Sequence, residues 1–250
     1  MDREGNEIDV HYLYDDTFDG LLTACYNHYY KKTCSGIFSK VSYQVSLVEI
    51  YEEIETNLVD SDIMYRTIKN ELSLDVLKNV LHCFLSDNIN KEKYILDYLN
   101  LGFKMGKAFN NYHTHDAVLP LLQIVKKVKM ESHRFLGYVR FTLLGSVLYC
   151  GIHPSFNILP IIADHFSDRF KSEAFIIHDK NRNTAIVSKE GKWVMATFDK
   201  NIYQDIKGQD IYEELWKTYF KTIGIESRKN LKLQQSFVPL KYRNDLLEFN

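Results

Sequence analysis

The stretch Glu131–Phe141 joins two hydrophobic periods that no single element can carry, so it marks a helix-to-strand transition near the middle of the chain. Setting Leu121 at zero and stepping about 100° per residue, Val125, Val128 and Phe135 fall within about 40° of it. Lys126, Lys127, Lys129, His133 and Arg134 fall between about 80° and 240° on the same count. The spacing predicts a helix starting near Thr114–Asp116, apolar on one face and broadly basic on the other. Gly137 should end it, and Tyr138-Val139-Arg140-Phe141 then alternates as a strand does. Cations near a helix C-terminus also suit the macrodipole, so a solvated basic face accounts for them as readily as a ligand does.

Elements on either side extend this division. Val10–Tyr14 reads as a strand, Asp15, Asp16 and Thr17 as cap candidates, and Phe18, Leu21, Leu22, Cys25 and Tyr29 as a helical stripe. A turn at Thr33-Cys34-Ser35-Gly36 leads to Val41–Tyr51, where strand or irregular structure is expected. From Ser61 the pattern is helical, with Ser61 and Ser73 as cap candidates and stripes at Leu77, Val80, Leu81, Phe84 and at Tyr94, Tyr98, Leu101, Met105. Gly102 and Gly106 would let a neighbouring helix approach closely. After Gly137, Val147–Ile152, Ala174–His178, Thr184–Val187 and Trp193–Phe198 read as strands, and Asn157–Phe170 as a short helix with Pro160 in its first turn. A last helix is expected over Gln209–Arg228, followed by a basic tail. The expected class is α+β: a helix-rich N-terminal half packed on a mixed half with a small, largely antiparallel sheet. The expected organisation is a single compact domain over 1–250, with sub-lobes 1–136, mainly helical, and 137–250, mixed.

With 45% apolar and 26% charged residues, the composition is that of a globular protein with ample length for a core. The net charge of −2 gives no global attraction to nucleic acid or anionic lipid, so any such affinity must be local. The scattered Cys25, Cys34, Cys83 and Cys150 read as reduced thiols. There is no long apolar span and the N-terminus is polar, so the expectation is a cytoplasmic protein without membrane contact.

Neither a phosphate loop, nor G-x-S-x-G, nor G-x-G-x-x-G, nor a zinc-protease helix is present, and no cofactor or bound metal is expected. His113 and His115 read as loop histidines. His153, His165 and His178, with Asp164 and Asp179 beside two of them, permit a His/Asp site but lack metal-ligand spacing. The acid–base candidates are His133 beside Glu131, and His178 with Asp179 at a strand end; a structural hydrogen-bonding role explains either histidine more simply. Basic residues carry the firmer signal. Lys126, Lys129, His133, Arg134, Arg140, Arg228, Lys232 and Lys241 would make an anionic-backbone site if they converged, with Tyr138 and Tyr242 able to stack on bases.

Several segments together resemble a known family. Tyr12-Leu13-Tyr14-Asp15-x-Thr17-Phe18-x-Gly20-Leu21-Leu22 looks like its opening, and Glu131-x-His133-Arg134-Phe135-x-Gly137-Tyr138-Val139-Arg140-Phe141 its central signature. His153-Pro154-x-x-Asn157, Ile176-Ile177-His178-Asp179, Leu215-Trp216-Lys217 and Pro239-x-Lys241-Tyr242 follow in order. The family is one of bacterial DNA-metabolism proteins of unknown function. Its members tend to be encoded beside a radical SAM protein described as a DNA modification or repair enzyme, and longer relatives carry a uracil-DNA glycosylase-like domain. The resemblance implies an association with DNA repair or modification and brings no catalytic residues. It makes DNA and a radical SAM or uracil-DNA glycosylase-like protein the expected partners. Base excision and radical chemistry would then belong to those partners, since the chain carries neither a glycosylase domain nor the three-cysteine cluster.

Three functions follow as expectations. The leading one is a nucleic-acid-binding accessory protein of DNA repair. The others are a nuclease or base-processing enzyme using Glu131, His133, His178 and Asp179, and a protein-docking module that never touches DNA.

Overall fold

The computed structural model describes residues 10–44, 50–197 and 235–246, and the chain divides into two compact units, Met1–Val128 and Lys129–Asn250. Helices and two separate sheets make the class α+β, as the sequence predicts.

In the first unit, β1 (Val10–Tyr14) is the centre of a three-stranded parallel sheet, flanked by β2 (Gly36–Ser39) and β3 (Ile50–Glu53). Four of its five residues are buried, the pattern of a strand covered on both faces. Thr17 caps α1 (Phe18–Tyr30) by accepting from the Gly20 N–H, and Leu21, Leu22 and Cys25 are buried. The parallel sheet is a correction to the sequence reading. Its outer strands have four residues each, and β3 is exposed throughout, so neither leaves a hydrophobic alternation to read.

Helices α2 (Leu58–Thr67), α3 (Leu74–Phe84) and α4 (Lys91–Met105) follow. Asn57, not Ser61, caps α2; Ser61 is buried and donates to Asp19 Oδ1 at 2.6 Å. Ser73 caps α3 as expected. The buried face of α4 is Glu92, Ile95, Leu96, Tyr98, Leu99 and Gly102; of the predicted stripe Tyr98 lies on it, whereas Met105 is exposed. A Cβ on Gly102 would lie 2.9 Å from a Leu72 methyl and 3.0 Å from the Phe109 ring, so the close approach exists. Gly106 instead ends α4 at φ 71°, a conformation that favours glycine.

Helix α5 (Leu119–Tyr138) is the predicted amphipathic helix, with Leu121, Val125, Val128 and Phe135 buried. It begins later than expected and does not stop at Gly137. Phe135, Tyr138 and Val139, spaced for one helical face, all enter the core of the second unit, and this burial outweighs the cost of about 1 kcal/mol for a helical glycine. The strand begins only at Thr142.

The second unit holds a five-stranded sheet in the order β4 (Thr142–Leu144), β5 (Val147–Ile152), β6 (Ala174–Asp179), β7 (Thr184–Lys189), β8 (Lys192–Thr197). All pairings are antiparallel except β5–β6, which α6 (Leu159–Arg169) connects as a β–α–β unit. Its core gathers Phe135, Ile152, Ile162, Phe166, Phe175, Ile177 and Ile186, closed by Tyr242 from a 3₁₀ turn at Leu240–Asp245. The helix predicted at Gln209–Arg228 lies outside the described residues.

Candidate functional site

Strand β5 ends at Ile152, and its register partner on β6 is Asp179. The loop His153–Asn157 therefore leaves the sheet at the C-terminal edge of its one parallel pair, the edge where parallel β–α units place ligand sites. A loop in this position must find partners for its backbone polar groups, and it finds them on three sides.

Glu131 of α5 supplies the first. Its buried carboxylate accepts from the Ser155 N–H at 3.1 Å and the Phe156 N–H at 2.7 Å, and from the Tyr242 hydroxyl. Lys241 Nζ lies 3.5 Å from the same carboxylate and donates to Ser155 Oγ at 2.8 Å. On the second side, Arg182 donates to the carbonyls of Pro154 (3.2 Å) and Ser155 (2.7 Å), and Asn181 Nδ2 donates to Pro154 O at 2.9 Å. Asp179 holds that turn by accepting from the Asn181 and Arg182 N–H groups and pairing with the Arg182 guanidinium at 3.0 Å. On the third, Asp245 accepts the His153 N–H at 2.9 Å through one oxygen and His153 Nδ1 at 2.6 Å through the other.

One arrangement recurs in all three. The carboxylate is inside and its cationic or imidazole partner faces out: side-chain exposures are 3% for Glu131 against 54% for Lys241, 0% for Asp179 against 22% for Arg182, and 1% for Asp245 against 40% for His153. The Glu131–Lys241 and Asp179–Arg182 pairs balance their charges, and their cationic ends are turned toward solvent around one loop. Arg134 adds to them, since its charge acts on the hydroxyls of both Tyr138 and Tyr242. Burial first, and then the neighbouring Glu131, push the Tyr242 hydroxyl far above the ordinary tyrosine value. The Tyr242 ring packs 5.2 Å from Phe135 and 5.7 Å from Tyr138, with Lys241 Nζ 4.4 Å above it.

Residues 89–248 match the family model described as Domain of unknown function (DUF4130). The chain belongs to this family. No curated protein and no solved structure matches it. The DUF4130 match takes in α5, the five-stranded sheet and the C-terminal turn, and so every residue that grips the loop.

The predicted acid–base residues are placed separately within this DUF4130 region. Glu131 points inward and is committed to the loop, whereas His133, two residues on and so about 200° around the helix, is exposed. His178 is buried, with its Nδ1 2.9 Å from the Tyr149 hydroxyl. Asp179, next along the strand and facing its other side, belongs to the Arg182 turn. Glu131 and Asp179 are thus linked only through the loop they both hold.

Among the predicted basic residues, Arg134 and Lys241 come together at Tyr242. Lys126 and Lys129 are exposed on α5. Arg140 is half-buried and turns back, donating to Gly137 O at 2.6 Å and Val139 O at 3.2 Å to close the helix end. Arg228 and Lys232 lie outside the described residues. His165 is exposed on α6, and Asp164 accepts from the Trp193 indole, so neither joins His153. Among the described residues, no group of three or more His, Cys, Asp or Glu side chains gathers as a metal-ligand set.

Sequence reasoning found His153 but gave it the wrong neighbours, and it missed Asp245, Ser155 and Arg182. Asp245 is 92 positions from His153, too far for any spacing rule. The one available signal was a turn-rich His-Pro-Ser loop at a strand end.

Proposed function

We propose that the chain is a nucleic-acid-binding accessory protein of DNA repair or modification. In this reading it holds a strand through the end of α5 and the C-terminal turn and works beside a radical SAM or uracil-DNA glycosylase-like partner. The observation that carries the nucleic-acid part is the outward cationic rim around the His153–Asn157 loop, where Arg134 of the helix and Lys241 of the C-terminal turn converge on Tyr242. Phosphate contacts are made by such local cations whatever the net charge of the chain. The partner assignment is supported by the family resemblance. The free, buried cysteines support a reducing compartment, the cytoplasm, and no helix among the described residues is long and apolar enough to cross a membrane.

The enzyme reading through Glu131, His133, His178 and Asp179 gains nothing from the geometry, because each group faces a different direction. Charge reversal tests the nucleic-acid reading. Lys129→Glu with Arg134→Glu should weaken single-stranded DNA binding at least tenfold while the variant still unfolds cooperatively. Unchanged affinity in that double variant defeats the reading and favours a docking module. Arg140 is unsuitable for the test, since its guanidinium also closes α5.

A further inference from the structure

We propose that His153 and Lys241 form a phosphate-binding pair that takes one phosphate group of a nucleic-acid strand, with Asp245 as the positioning residue that aims His153. The inference deepens the nucleic-acid reading and rests on it for the identity of the strand.

Proton bookkeeping gives the orientation. Asp245 is buried, its two oxygens accept from the backbone N–H and from Nδ1 of the same histidine, and an ionised carboxylate can only accept. Nδ1 therefore carries the proton of that bond, and Nε2 is the nitrogen presented by a ring that is 40% exposed; it donates to a phosphate oxygen only when the ring takes up a second proton as imidazolium. Lys241 reaches the other end of the same loop. Its ammonium has three donors, of which one goes to Ser155 Oγ at 2.8 Å and one leans toward Glu131 at 3.5 Å. Ser155 accepts from Lys241, and its own hydroxyl is turned to the Tyr242 hydroxyl.

The two pairings are built together. Lys241 and Asp245 sit four residues apart on one 3₁₀ turn and grip Ser155 and His153, which sit two apart on one loop. Imidazole and ammonium are thus held on one short stretch of surface, and the carboxylates Glu131 and Asp245 are shut behind them. Donors in front with counter-charges buried behind suit a tetrahedral oxyanion, which offers several acceptor oxygens to convergent groups. A metal cation would meet the Lys241 ammonium.

The test uses the full chain in two measurements. Histidine ring ¹⁵N NMR, read during titration with inorganic phosphate, should show His153 with its proton on Nδ1 and its Nε2 signal moving, while the exposed His165 ring stays still. Asp245→Asn should abolish that tautomer preference, which a merely structural role for Asp245 would not require. Anisotropy with oligo(dT), with and without a 5′-phosphate, should show His153→Gln and Lys241→Met each weakening binding about three- to tenfold. Lys241→Met should also reduce the salt slope by about 0.7, the value of one single-strand phosphate contact.

A preference for the 5′-phosphorylated oligomer that vanishes in His153→Gln assigns the pair to a strand end; equal binding assigns it to an internal phosphodiester. Unchanged oligomer affinity in both variants overturns the pair and leaves the nucleic-acid reading standing. If the wild type binds no oligomer, that reading fails, and the phosphate titration decides the pair alone: a shifted His153 Nε2 sustains it and a stationary one overturns it.

Discussion

His153 Nδ1 meets the Asp245 carboxylate at 2.6 Å across 92 positions of sequence, and the same carboxylate also accepts the His153 backbone N–H. This contact ties the C-terminal turn to the edge of the sheet. Glu131 and Lys241 make a second tie and Arg182 with Asp179 a third, so the loop is held by side chains from α5, the β6–β7 turn and the C-terminal turn. A loop fixed in this way presents its exposed groups in one geometry.

Removing the Glu131 carboxylate should loosen the loop and the core beneath it. Glu131→Gln places an amide among two backbone donors, a tyrosine hydroxyl and an ammonium. The expected loss is about 2–3 kcal/mol, in line with buried hydrogen bonds to a charged group. Urea unfolding measures it, and a loss well below 1 kcal/mol would show that the clamp contributes little.

Tyr242→Phe keeps the ring against Phe135 and Tyr138 but removes the hydroxyl that Glu131 accepts. It should cost about 1.5–3 kcal/mol at pH 8. The folded value of this hydroxyl is raised above its unfolded value near pH 10, so its contribution is complete below about pH 10 and fades as the pH rises beyond it. The gap between wild type and Tyr242→Phe should therefore narrow above about pH 10. Urea midpoints at pH 8 and in alkaline buffer check this, and a gap that widens contradicts it.

Asp179 is fully buried and Arg182 is its cation. Arg182→Met strands that charge and removes two donors from the loop carbonyls, for an expected loss of about 3 kcal/mol by thermal or urea unfolding. An unaltered midpoint would mean that the turn holds without the ion pair.

All four cysteines are buried, and burial pushes Cys25, Cys83 and Cys150 up to about 12 and Cys34 up to about 11. Native protein should react with an aromatic disulfide reagent only at the rate of unfolding, and all four thiols should react at once in denaturant. Rapid reaction of one thiol in the native state would contradict its placement.

Much of this fold was legible in the sequence wherever one face of an element is buried along its length. The apolar row Leu121, Val125, Val128, Phe135 located α5, and β5, β6 and β7 each show as an apolar run bounded by turn residues. Legibility failed where local rules met tertiary packing. Gly137 reads as a stop, yet Tyr138 and Val139 carry the helix into the core. The parallel sheet of the first unit escaped because β2 and β3 take their register from β1 rather than from a pattern of their own.

For the site, the residue types were visible but their partners were not. Glu131 and Asp179 look like catalytic carboxylates in sequence and serve as anchors in the fold. Their partners come from 24 to 111 positions away for Glu131, and for Asp179 from a turn whose role depends on the facing loop. The convergence of Arg134 with Lys241 needed the C-terminal turn to fold back, which no local spacing announces.

The central claim is that this surface binds nucleic acid, and the most direct test is the affinity of the purified chain for single-stranded DNA across a salt series. Binding at low salt should weaken as salt rises, with a slope of about 0.7 for each phosphate contact, and the Lys129→Glu/Arg134→Glu variant should show a shallower slope and lower affinity. No binding at low salt, or a slope identical in wild type and variant, would contradict it.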